Sequence, residues 1–168
     1  MTLRTRASAI LALAATLAFG SGAARADGYF RADDNFLVFN TIALHLQNAE
    51  GRNTVTPGIG WEFSPSGKIG FHGGTLSDSF GYQAYYGGLN YATSRMLAGR
   101  LRFILGATVL HKQFRIDGGP ETKIVPLPAA EFRLARRAVI NISGSPEIDY
   151  ADHHNNAVVF LQLKLNLL

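Results

Sequence analysis

The chain of 168 residues has no cysteine, a single tryptophan and little charge, since Asp, Glu, Lys and Arg together make up 17% of it. Without cysteine there are no disulfide staples, no thiol nucleophile and no thiolate-bound zinc. The charge fraction is well below the roughly 25% of ordinary soluble domains. Together with 18 glycines, this composition fits neither a disordered tail nor a helical repeat array. Long apolar runs are missing beyond residue 26, because glycine, proline or charge interrupts each one, so that part offers no helical span of ~20 residues. A basic stripe is missing too. The formal charge is +4 from 16 basic and 12 acidic residues, but Arg4, Arg6 and Arg25 lie in a leading segment that holds no acid. The rest is close to neutral, and the electrostatic footprint of a nucleic-acid binder is absent.

The first 26 residues run from a basic start (Arg4, Arg6) through an apolar stretch over 7–19 to small residues ending at Ala24-Arg25-Ala26. That order is the pattern of a secretory signal peptide, with cleavage expected after Ala26. The mature chain, 27–168, is then expected either in an extracytoplasmic space or as a barrel in an outer membrane.

This mature part alternates with period two. Val159, Leu161, Leu163, Leu165 and Leu167 share one face of the last segment, opposite Val158, Phe160, Gln162, Lys164 and Asn166. The stretches from Leu101 and over 36–47 alternate likewise, and shorter ones cover 55–64, 68–77, 82–91, 124–134 and 138–143. The total is eight strands, an even number, each near the ~9–11 residues that cross a bilayer. Connections at 64–67, 93–98 and 135–137 are short; those at 48–54, 78–81, 111–123 and 144–156 include the two longest. Short turns face the periplasm and long loops face outward in such barrels, so the expected fold is an eight-stranded antiparallel transmembrane β-barrel with both termini periplasmic. A soluble lipocalin-like barrel or sandwich also alternates, with its apolar face inward.

Strand parity puts Leu37, Phe39, Ala43 and His45 inside on the first strand. Gly58 and Gly60 follow on the second, Gly70 and Gly74 on the third, and Ile104, Gly106 and Thr108 on the fifth. Such a lumen is small and apolar, with an inert lower wall, and is either filled or roomy enough for a hydrocarbon chain. Acid–base groups gather at the outer rim: His45, Asp78, Ser79, His111, His153 and His154. A histidine, a carboxylate and a hydroxyl at one rim suit acyl transfer. Adjacent residues of an extended strand face opposite ways, so Asp78 and Ser79 share the lumen only if the chain has already turned there, as Gly81 permits. Pro57, Pro126 and Pro128 fall toward the upper strand ends. Each removes a ladder donor, and they mark either lateral gaps for a lipid or ordinary strand ends in wet surroundings.

The segment GTLSDSFGYQAYYGG, the stretch Ile124-Val125-Pro126-Leu127-Pro128, Asn155-Asn156 before the last strand, His45 and Pro57 occur in an order that resembles the outer-membrane lipid A palmitoyltransferases. The resemblance implies a barrel that moves a palmitoyl or similar chain from a glycerophospholipid acyl donor to the acceptor lipid A. His45, Asp78 and Ser79 would be catalytic, with His45 as general base and no cofactor or metal. It further implies lipid entry at Pro57, Pro126 and Pro128, and an acyl-pocket floor near Asn90 and Gly88. A monomer is expected, since no surface pattern argues for an oligomer. Two other functions fit the sequence: a lipid A deacylase, faintly suggested by His45-Leu46-Gln47-Asn48, and a non-catalytic structural or adhesin barrel.

Overall fold

The computed structural model describes residues 35–47, 49–64, 68–115, 117–149 and 154–167. The expected leader and its cleavage site lie outside the described residues, as does His153. The period-two segments form β1 (Asn35–His45), β2 (Val55–Phe63), β3 (Ile69–Ser77), β4 (Gln83–Ala92), β5 (Leu101–Gln113), β6 (Pro120–Arg133), β7 (Ala138–Ser145) and β10 (Val158–Asn166). These eight close into one barrel in the order β1-β10-β7-β6-β5-β4-β3-β2, and every neighbouring pair is antiparallel. A separate hairpin of β8 (Ile148–Asp149) and β9 (His154–Asn155) decorates the last outer loop. Phe36 of β1 pairs with Asn166 of β10, so the two ends of the described chain meet at one rim.

The polarity of the wall decides between the soluble and membrane barrels. Outward positions carry exposed Ile59, Phe71, Leu89, Leu105, Ile124 and Ile142, while Glu62, Arg102, Glu131 and Lys164 are buried inside. A water-soluble barrel needs the opposite arrangement; an apolar outer band around a polar interior is what lipid requires. The protein is a transmembrane β-barrel of the outer-membrane type. Trp61, Phe71, Tyr91 and Phe132 lie on the outer surface near the rim where β1 begins and β10 ends, as the girdle at a membrane interface does.

Two expectations about the wall need correction. Leu37 and Phe39 face outward and Phe36, Val38 and Asn40 face in, because a register shift between Asn40 and Ile42 reverses the parity halfway along β1. The extra residue of such a bulge flips every later side chain, which is why Ala43 and His45 are inward after all. The stretch 111–123 is not mainly loop: β5 and β6 stay paired up to Gln113 and Pro120, raising a ribbon above the barrel.

The lower lumen, expected to be small, apolar and inert, is a charged plug. Lys164 Nζ donates to Glu62 at 2.7 Å and Glu131 at 2.6 Å. Arg102 Nε also donates to Glu131. Above this, Asn40 donates to the Tyr86 hydroxyl at 3.1 Å and accepts from Gln162 at 2.6 Å. The parity rows stop short of this, since Glu62 lies two places below Gly60 and Arg102 two places below Ile104, while Glu131 and Lys164 come from strands outside those inward rows.

Candidate functional site

The bulge in β1 brings His45 to the outer end of the lumen. β3 stops at Ser77, and Asp78 to Gly81 form the turn that carries Asp78 and Ser79. Gly81, at φ +87°, supplies the left-handed conformation that the turn needs. Both side chains can therefore line the same cavity as His45 despite their adjacency, as the sequence requires. Asp78 and Ser79 are only 2% and 3% exposed.

Their surroundings give them different tasks. Asp78 Oδ1 accepts the backbone N–H groups of Phe80 and Tyr82, each at 2.9 Å, and Oδ2 accepts that of Gln113 at 3.2 Å. The carboxylate thus builds the turn and ties it to the top of β5. It makes no hydrogen bond to His45. Ser79 Oγ is buried with no hydrogen-bond partner, and so is His45 Nε2. His45 Nδ1 lies 3.4 Å from a guanidinium nitrogen of Arg52. An arginine can only donate, so Nδ1 accepts there and the neutral ring carries its proton on Nε2. The carbonyl of Ser79 accepts the Asn53 N–H at 2.6 Å, which fastens the Arg52 loop over the turn.

Two other histidines expected at the rim, His111 and His154, are elsewhere. His111 faces outward and contacts Thr122 Oγ1 at 2.8 Å. His154 is held by Glu147 at 3.1 Å and by Asp149 on the outer hairpin. Sequence reasoning missed Arg52, Lys112 and Phe114, which also border the cavity. Lys112 was legible as a continuation of the inward row Ile104, Gly106, Thr108, had the strand been run past residue 109. Among the described residues, no group of three or more His, Asp or Glu is placed to hold a metal ion.

The cavity, of about 120 Å³, is lined below the rim by the apolar Leu76, Leu110, Val125, Leu127 and Phe160 and reaches the polar layers at Asn40, Glu62 and Lys164. Asn90 belongs to that floor, donating to Glu62 at 3.1 Å. Gly88 stands just above it, where a Cβ would lie 2.1 Å from the Ala107 carbonyl oxygen, so only glycine lets β4 approach β5 so closely.

The prolines coincide with one break and one register shift in the wall. The β6–β7 ladder ends at Ala129 and Ser143, immediately before Pro128, while β6 goes on pairing with β5 through Pro126 to Pro120. Between β1 and β2 the register passes from Asn40–Gly58 to Ile42–Val55, skipping Pro57. Above that shift β1 and β2 stay joined, through Ile42–Val55 and the Ala43 N–H on the Thr54 carbonyl at 2.8 Å, so the open seam in the outer half lies between β6 and β7.

No family model and no curated protein matches the chain. Among solved structures it is similar to the Yersinia pestis outer membrane protein Ail, determined in a phospholipid bilayer nanodisc. The identity is 10% and the TM-score 0.42, over 79% of this chain and 99% of that one.

Proposed function

We propose that the protein transfers a long acyl chain from an outer-leaflet glycerophospholipid to a hydroxyl of lipid A, at the rim cavity bordered by His45, Asp78 and Ser79. One observation carries the reading. Two buried polar atoms without partners, His45 Nε2 and Ser79 Oγ, border one cavity in a wall whose β6–β7 ladder ends beside Pro128. Buried polar groups are normally satisfied, so this pair suits a polar substrate group.

The chemistry exchanges one ester for another. The lipid A hydroxyl oxygen attacks the donor's ester carbonyl, and its proton passes to the His45 imidazole. The bond from the carbonyl carbon to the glycerol oxygen breaks, and that oxygen takes the proton back from His45 as the lysophospholipid leaves. The Ser79 hydroxyl donates to the oxygen that becomes negative in the transition state. Asp78 acts as a positioning residue by holding the turn. The apolar middle section receives the end of the acyl chain. From Val125 to Glu131 the wall runs about 20 Å along the strand, or roughly 15 Å down a barrel axis at typical tilt. At about 120 Å³ the cavity is smaller than the roughly 300 Å³ of the smallest drug-sized pockets, so the rest of a palmitoyl-length chain lies along the seam between β6 and β7.

The test is a reconstitution of purified protein with phosphatidylglycerol and lipid A in mixed micelles. Lysophosphatidylglycerol and lipid A heavier by one acyl chain appear together, and neither forms when lipid A is left out. His45→Ala lowers the rate by about 100-fold or more. Free fatty acid released from lipid A would make the protein a deacylase, and no product from the folded barrel would make it a non-catalytic wall.

A further inference from the structure

Two cations at the rim, Arg52 and Lys112, face one nearby carboxylate, Asp78, which favours the charged form of Lys112, while Glu121 across the ladder is taken by Arg115 and Lys123. Among the described residues neither Arg52 nor Lys112 forms an ion pair, and both border the cavity mouth. Asp78 has both its oxygens committed to backbone N–H groups. The two cations instead share an aromatic ring: the Arg52 guanidinium lies 4.9 Å from the Phe80 centroid and Lys112 Nζ 5.7 Å from it. Lys112 also lies 5.0 Å from the Phe114 centroid. Like charges held this close repel one another unless an anion joins them. The buried Ser79 hydroxyl, 3% exposed and without a partner, borders the same cavity. The mouth is therefore rich in donors, poor in acceptors and positive.

We infer that Arg52 and Lys112 form a binding site for a phosphate group, and that Arg52 leaves His45 to engage it. Guanidinium and phosphate make charge-assisted, often bidentate hydrogen bonds, stronger than a 3.4 Å contact to a neutral imidazole. Without the anion, Arg52 occupies the Nδ1 lone pair of His45. With the anion bound, that lone pair is free to accept a proton. Phosphate binding then both anchors the ligand and exposes the base; the second half of the inference rests on the acyl-transfer reading, the first does not.

The experiment uses the folded barrel in an uncharged maltoside detergent with ¹⁵N-labelled histidine, the His45 signals being assigned by their loss in His45→Ala. Dihexanoyl phosphatidylglycerol, inorganic phosphate and dihexanoylglycerol are titrated in turn. The phospholipid binds and shifts the His45 Nδ1 signal, and Arg52→Gln weakens binding by at least about tenfold and removes the shift. Arg52→Lys keeps part of the binding. A response to inorganic phosphate as well assigns the site to the bare anion, and a response to the phospholipid alone assigns it to the headgroup. Equal binding by wild type and Arg52→Gln, or equal binding of dihexanoylglycerol, overturns the phosphate site. Phospholipid binding that leaves His45 unmoved overturns the release of the base. Phosphate binding intact in a protein that transfers no acyl chain would sink the proposed activity alone. Acyl transfer at the wild-type rate in Arg52→Gln would sink this inference alone.

Discussion

Lys164 Nζ sits between Glu62 and Glu131, 2.7 and 2.6 Å away, and all three are buried. Removing one partner of such a set leaves an uncompensated charge in a dry interior. Lys164→Met is expected to destabilise the barrel by about 3–5 kcal/mol, measured by urea unfolding in lipid vesicles. An unchanged midpoint would mean that water reaches the cluster. Asp78 makes a different prediction, because its two oxygens gather three backbone donors. Asp78→Ala leaves those donors without their acceptor and costs about 1–3 kcal/mol. It also opens the 78–82 turn to proteolysis. Asp78→Asn keeps an acceptor oxygen for Phe80 and Tyr82 and is milder on both measures. If the alanine variant kept a protease-resistant turn and lost only activity, Asp78 would act on substrate and not through the fold.

At the scale of the strand, the period-two pattern located all eight barrel strands within a few residues, because membrane strands must alternate to satisfy lipid on one side and the lumen on the other. A bulge has no such signature. Leu37 and Phe39 read as inward from parity carried back from His45, and only the pairing of β1 with β10 shows where the register shifts. The turn at Asp78 and Ser79 was legible for the opposite reason: their adjacency ruled out a common lumen face in an extended strand, and Gly81 marked the bend. The prolines were legible as missing donors, but which ladder stops beside them depends on neighbours distant in sequence. Replacing Pro126 and Pro128 together by alanine restores two backbone donors. The expected result is a β6–β7 ladder that extends beyond Ala129 and Ser143, seen as slower amide exchange at Gly144, with slower acyl transfer. Slower exchange without any loss of rate would show that the donor does not enter by that break.

For the molecule as a whole, wall polarity is what places it in a membrane, and the single tryptophan reports on it. Trp61 is outward-facing, 45% exposed, and stacks on Phe63 at 5.4 Å. In vesicles its fluorescence should be quenched most by lipids brominated near the carbonyl end of the chain, and least by lipids brominated at the bilayer centre. Equal quenching at both depths would remove Trp61 from the interface. Composition hid the interior, since few charges and many glycines describe the whole chain and say nothing of Glu62, Arg102, Glu131 and Lys164 converging from four strands. The rim cations were hidden likewise, because Arg52 and Lys112 lie 60 residues apart and meet only over Phe80. The most direct test of acyl transfer is mass spectrometry of lipid A from outer membranes with the protein, without it, and with His45→Ala at matched barrel levels. The account predicts a gain of one long acyl chain that depends on the protein and disappears in the variant. Lipid A of unchanged mass in membranes that hold the folded wild-type barrel would contradict it.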